Sequence, residues 1–170
     1  MANDGKFMTL ESGRQKQELA INASAGAGDA GKIARLDGTG RWDPTMMPLG
    51  IGSDSRTITT SEAVAAGDMI NVWNNGGLRA RKADATTSGK EANGFVIAAF
   101  GSGASATVYF EGTVTGLTGL TIGARYYLNT TAGTITTTPL SGSGNVHQYI
   151  GTALSATELT FEPDDGIILA

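Results

Sequence analysis

The sequence predicts an all-β fold: a compact sandwich or barrel, jelly-roll-like, of about eight short strands, preceded by an extended N-terminal arm. Three observations predict it. The 170 residues include 25 Gly and 22 Thr; Thr suits a pleated surface because its β-carbon is branched, and Gly belongs in the turns. From residue 57 onward, short apolar or alternating runs recur between Gly-rich punctuation. No long segment carries the 3.6-residue period of an amphipathic helix. Only 6% of the chain is aromatic and Ala supplies much of its apolar fraction, so the core is expected to be light for its length.

Residues 1–56 hold seven Lys and Arg against seven Asp and Glu. Broken repeatedly by glycine and without a sustained period, they read as an arm rather than a packed unit. Their composition allows one short helix over residues 15–21, where Gln, Lys, Glu, Leu and Ala are good formers, stopped by the Ala-Gly run that follows. Residues 57–170 read as the β domain. Thr57-Ile58-Thr59-Thr60 opens it. Met69-Ile70-Asn71-Val72-Trp73 alternates, Asn74-Asn75-Gly76-Gly77 supplies the positive-φ positions of a tight hairpin, and Leu78-Arg79-Ala80-Arg81-Lys82 returns. The apolar run from Gly94 to Phe100 predicts a central strand covered on both faces. Residues 106–114 follow, with Gly112 a candidate bulge. Residues 124–128 and 134–137 flank a turn, a flexible Ser-Gly loop occupies 141–144, and 146–153, 158–161 and 167–169 are the last strands.

Composition removes several function classes. Twelve Lys and Arg against 16 Asp and Glu leave a net charge of −4, which supplies no positive field for nucleic acid or an anionic membrane. From residue 91 onward there are six acids and one base, Arg125, a face suited to outward display. The chain has no Cys and one His, so disulfides, thiol chemistry and His-pair metal motifs are excluded, and no cofactor is expected. The first residues carry acid where a secretory signal has a basic run, and no long apolar segment follows, which predicts neither export nor membrane anchoring.

Gly26-Ala27-Gly28-Asp29-Ala30-Gly31 matches the dinucleotide-binding G-x-G-x-x-G. That motif needs a hydrophobic strand before it and a helix after it, and neither is predicted. Asp164-Asp165 offers a carboxylate pair, which reads as a solvated turn, and His147 reads as a strand residue beside an exposed face. Arg79, Arg81 and Lys82 form a basic cluster, expected as a solvated strand edge. The chain is expected not to be an enzyme.

The arm carries the sharper signal. Ile33, Leu36, Trp42, Met46, Met47, Leu49 and Ile51 are large apolar groups spaced by polar or turn residues. Burying one such side chain is worth roughly 1.5 to 3 kcal/mol, so the run needs a surface: the chain's own β domain, or a neighbouring subunit or second protein that an extended arm would strap.

The stretch Gly31-Lys32-Ile33-Ala34-Arg35-Leu36-Asp37-Gly38-Thr39-Gly40-Arg41-Trp42-Asp43-Pro44-Thr45-Met46-Met47-Pro48 resembles a segment of tailed-phage virion proteins. Ala66-Gly67-Asp68-Met69-Ile70-Asn71-Val72, Arg81-Lys82-Ala83-Asp84-Ala85, Gly94-Phe95-Val96, Leu117-Thr118-Gly119-Leu120-Thr121-Ile122-Gly123 and Tyr126-Tyr127-Leu128 are similar to the β module of tailed-bacteriophage capsid decoration (cement) proteins, a module shared with some phage fibres. The resemblance implies a structural protein on the outer surface of the virion, clamping adjacent major capsid protein subunits and self-associating, with a homotrimer favoured and a dimer as the alternative. A head or tail fibre module binding a host receptor or glycan is the rival reading, with Tyr109, Tyr126 and Tyr127 as candidate sugar-stacking faces.

Overall fold

The computed structural model describes residues 5–47 and 54–170, so the expected contact residues Leu49 and Ile51 lie outside the described residues. The chain divides into two compact units, Met1–Gly52 and Ser53–Ala170. In the first, β1 (Lys6–Glu11) and β2 (Arg14–Leu19) form an antiparallel hairpin, with Lys6 opposite Leu19 and Glu11 opposite Arg14. Its loop residues Ser12 and Gly13 have φ of 52° and 77°, the backbone twist that a two-residue hairpin loop needs. The helix expected over residues 15–21 is therefore a strand. A helix that short makes too few hydrogen bonds to offset its nucleation, whereas Ser-Gly closes a hairpin that gives Arg14–Leu19 a full-length partner.

Beyond the hairpin the unit runs through two short 3-10 turns, Ala27–Asp29 and Pro44–Met46, and a bridge joins Ile21 to Ala34. Among its described residues only Ala20 is buried. Polar turns hold the chain in place of a core. Asp37 Oδ1 accepts the N–H groups of Arg41 and Thr39 and the Thr39 hydroxyl at 2.7 to 3.0 Å. Asp43 Oδ1 accepts the Thr45 hydroxyl at 2.6 Å and its N–H at 2.9 Å. The Thr45 hydroxyl oxygen in turn accepts the Ser24 N–H at 2.8 Å. The Arg41 and Thr39 donors keep the Asp37 carboxyl, and the Thr45 donors keep that of Asp43, below the usual carboxylate range.

The second unit is all-β. β3 (Ser55–Thr60) begins two residues ahead of the expected start. With β4 (Met69–Asn74), β5 (Leu78–Lys82), β6 (Gly94–Phe95) and β7 (Ser105–Tyr109) it closes a five-stranded barrel in the order β3-β5-β4-β6-β7. The expected hairpin is β4–β5, pairing Ile70 with Lys82 and Asn74 with Leu78. Ile58, Val64, Ile70, Ala80, Val96, Ala106 and Val108 form the barrel's own cluster.

Three small antiparallel sheets follow. They are built from β8 (Gly112–Val114), β9 (Arg125–Leu128), β10 (Ile135–Thr136), β11 (Val146–His147), β12 (Tyr149–Thr152), β13 (Leu159–Phe161) and β14 (Ile167–Ile168), paired as β10-β9-β12, β11-β14 and β13-β8. Their inward residues Val114, Tyr126, Leu128, Ile150, Leu159 and Phe161 join Met69, Phe95, Ala83 and Ala85 in a second cluster. The unit is thus a small barrel with a second β layer on the wall that carries Met69 and Phe95.

Strands are more numerous and shorter than the sequence suggests. The run from Gly94 pairs regularly only as far as Phe95. Phe95 and Val96 are both buried, each in a different cluster, while Ile97 is 43% exposed. The run is apolar because two cores meet there, and no long strand is present. Gly112, with φ of 113°, opens β8 in place of bulging one continuous strand. Residues 146–153 are interrupted at Gln148. The Ser-Gly loop is a turn tied down by the Gly144 N–H, which donates to Leu169 O at 2.9 Å.

Two single residues are decisive for the second unit. A Cβ at Gly151 would overlap the Thr160 carbonyl oxygen of the neighbouring β13, at the register shift where β12 passes β9. Gly151→Ala is expected to destabilise the unit by about 3 kcal/mol or more, read as a fall in urea midpoint. Asp84 is 7% exposed in the loop after β5. Burial pushes its carboxyl up, but the Thr86 hydroxyl and N–H and the Lys90 ammonium, 3.0 Å from Oδ2, outweigh it and hold the carboxyl below its ordinary range. The contribution of a carboxylate with a lowered folded-state pKa is fully present above its unfolded value, about 3.9, and is lost as pH falls through the folded one. Asp84→Asn is therefore expected to cost about 1 to 3 kcal/mol at neutral pH, with the gap to the parent closing below about pH 4 in a pH series of denaturation curves.

Candidate functional site

The described arm residues that the sequence singles out are mostly at the surface. Ile33, Leu36 and Trp42 are each about half exposed, at 50%, 48% and 51%, and Met47 is exposed. Met46 is half-buried. Ile33 and Leu36 flank the bridge at Ala34, and Trp42 and Met47 flank the 3-10 turn Pro44–Met46. The hairpin adds three residues that the sequence reading missed. Met8, Leu10 and Leu19 are exposed, and because Lys6 opposes Leu19, Met8 opposes Gln17 and Leu10 opposes Gln15, all three share one face. The signal present was the Ser-Gly pair at residues 12 and 13, a hairpin loop after a short run holding Phe7, Met8 and Leu10. This unit therefore presents seven large apolar side chains at its surface among its described residues.

The basic cluster is not a solvated edge. Arg81 lies over the Trp73 ring at 4.3 Å, donates from Nε to Asn71 Oδ1 at 2.9 Å and donates from Nη2 to Gly89 O at 2.7 Å. Lys82 reaches Asp68 at 3.4 Å. Arg81 thereby staples the loop after β5 to the barrel. The G-x-G-x-x-G segment holds the 3-10 turn Ala27–Asp29, not a strand-to-helix turn, and so lacks the geometry for a pyrophosphate. Of the tyrosines considered for stacking, Tyr109 packs on Phe95 with ring centroids 5.5 Å apart, and Tyr126 is buried with its hydroxyl accepting the Thr121 N–H.

Tyr127 faces the other way. Strand alternation sends Tyr126 and Leu128 into the core and Arg125 and Tyr127 outward. Tyr149 lies directly opposite Tyr127, with ring centroids 6.0 Å apart and edge-on, and His147 is 5.0 Å from Tyr127. The Arg125 guanidinium sits 5.6 Å from the Tyr149 ring centroid. Asp164 completes a depression of about 290 Å³ lined by these five residues. Its position is set by buried Gln148, whose Nε2 donates to Asp164 O and Ala92 O at 3.0 Å while its Oε1 accepts the Ala92 N–H at 2.8 Å. The Asp164 N–H donates to Tyr149 O at 3.2 Å. Asp165 is exposed beside it, and among the described residues no group of three or more His, Asp or Glu is placed to hold a metal ion.

A wider groove of about 550 Å³ is lined mainly by Gly and Thr. Its titratable groups are Asp68, engaged by Lys82, and Tyr126, engaged by Thr121.

Compared with protein-family models and with curated proteins, the chain matches none.

Gln148 interrupts the strand but fixes both Ala92 and Asp164. Gln148→Met keeps the length of the side chain and removes its hydrogen bonds. It is expected to leave buried backbone groups unpaired and to lower stability by about 2 kcal/mol or more, measured by urea denaturation.

Proposed function

We propose that this chain is a structural virion protein that decorates and stabilises an icosahedral phage capsid by clamping adjacent major capsid protein subunits. The observation that carries the reading is the imbalance within the first unit. It buries only Ala20 and leaves seven large apolar side chains exposed among its described residues. A two-stranded hairpin is marginal on its own in water, and scattered apolar groups on polar turns gain most when a partner covers them. An interface of ordinary size buries about 1,600 Å² in total, and aromatic and Met side chains dominate binding energy where they become fully desolvated.

On this reading the first unit lies on the capsid exterior, and the β unit supplies self-association, a homotrimer being favoured, and an acid-rich outer face. The mechanism is area multiplied by copy number, with no reaction involved. The resemblance of residues 31–48 and of the β module to capsid decoration proteins supports the same assignment.

The test is binding to purified capsids stripped of the protein. Trp42→Ala combined with Met47→Ala is expected to weaken binding more than tenfold, since anchors of this kind contribute about 2 kcal/mol each, while the thermal transition of the β unit stays in place. Unchanged capsid occupancy would overturn the reading.

A further inference from the structure

We infer that the outer face of β9 and β12 is a binding subsite for a neutral hexopyranose, formed by Arg125, Tyr127, His147, Tyr149 and Asp164. The inference stands apart from capsid attachment, because it concerns the second unit alone.

The rings do not serve the core. Tyr126, Leu128 and Ile150 already fill the inward positions of the same strands at 6%, 0% and 0% exposure, while Tyr127, His147 and Tyr149 remain half-buried on the opposite face. Tyr127, with the His147 ring 5.0 Å away and the Tyr149 ring 6.0 Å away, centres an amphipathic surface with apolar faces and polar edges. They are also held in place. Tyr127 and Tyr149 are cross-strand partners, and the Tyr149 hydroxyl shares a 2.8 Å hydrogen bond with Thr152 Oγ1. A ligand stacking there has little side-chain entropy to remove.

The Arg125 guanidinium lies 5.6 Å from the Tyr149 ring centroid, but the hydrogen-bonding capacity of the two rim side chains is unused. Neither the Arg125 guanidinium nor the Asp164 carboxylate forms an ion pair or side-chain hydrogen bond among the described residues. The depression therefore offers a planar array of donors beside an acceptor with open lone pairs. A pyranose matches that pattern, with an apolar C–H face for a ring and adjacent hydroxyls that both donate and accept. A volume of about 290 Å³ is at the low end for small-molecule sites and suits one sugar ring of a longer glycan. Charge selects within the stacking ligands. One cation beside one anion, on a stretch with six acids and a single base from residue 91 onward, disfavours nucleotides and acidic sugars.

The test uses the full chain and titrates methyl α-glucopyranoside, methyl β-galactopyranoside and N-acetylglucosamine, with N-acetylneuraminic acid as the anionic comparison, followed through the NMR signals of the tyrosine rings and of His147. A single ring in so shallow a site is expected to bind in the millimolar range. At least one neutral probe should give saturable shifts confined to these residues and bind at least tenfold tighter than the anionic one. Tyr149→Ala and the exposed-site variants Arg125→Gln and Asp164→Asn should each lower that affinity at least tenfold with an unchanged thermal transition. Absence of saturable shifts with every neutral probe overturns the inference. So does a Tyr149→Ala chain that binds sugar normally but changes its oligomeric state, which would make the face a protein contact. Either result leaves capsid occupancy, measured in parallel, to judge the decoration reading separately.

Discussion

The second unit depends on one shared wall. Met69 and Ile70 are neighbours on β4, both fully buried, and they belong to different clusters; Phe95, the last residue of β6, and Val96 just after it repeat the arrangement. Strand alternation forces adjacent residues to opposite faces, so these two pairs commit the wall to being covered on both sides. One side becomes the barrel interior and the other the seat of the second β layer. A chain with few aromatics can close two small cores this way because each wall residue borders one of them. Where Gly151 admits no side chain against Thr160, the same economy of space is visible at the level of one atom.

That wall also accounts for the aromatic face. Tyr126, Leu128 and Ile150 pack in the cluster that contains Met69 and Phe95, which fixes the pleat of β9 and β12 and leaves Arg125, Tyr127 and Tyr149 no inward alternative. Gln148 adds the remaining constraint. By interrupting the chain between β11 and β12 it turns a side-chain amide inward, where two hydrogen bonds hold Ala92 and a third, to Asp164 O, brings Asp164 alongside the rings. A buried polar group that satisfies its partners costs little and specifies position.

Much of this was legible in the sequence. The β4–β5 hairpin follows from alternation around Asn-Asn-Gly-Gly, and the all-β class from Thr, Gly and short apolar runs. What was not legible depends on long-range packing. The continuous run from Gly94 to Phe100 has the same composition whether it is one long strand or a short strand where two cores meet. Arg81 reads as an edge charge until Trp73, Asn71 and Gly89 are placed around it. Tyr127 and Tyr126 are indistinguishable in composition, and only the register separates a core tyrosine from an exposed-face one. The hairpin β1–β2 is a different matter. Its Ser-Gly loop was readable, but the helix-forming residues in β2 point to a helix, and in the fold local propensity yields to a cross-strand partner.

The two units solve opposite problems. The second is fixed by packing in two buried clusters, although Leu78, Ile97, Ile122, Leu154, Ile167 and Ile168 stay exposed on it. The first is fixed by backbone pairing and by aspartates that accept several donors each, with exposed pairs such as Lys16 to Glu11 at 2.7 Å and Lys32 to Asp29 at 2.6 Å adding little. Interactions of that kind set a conformation without consuming apolar surface, which is what a strap requires before it docks. On the proposed reading, turns centred on Asp37 and Asp43 prearrange the segments that carry Leu36, Trp42 and Met47, so less order would remain to be imposed on contact and more of the burial energy would be realised as affinity. The core that the described residues of the first unit do not supply is, on the same proposed reading, the part of the interface that another molecule completes.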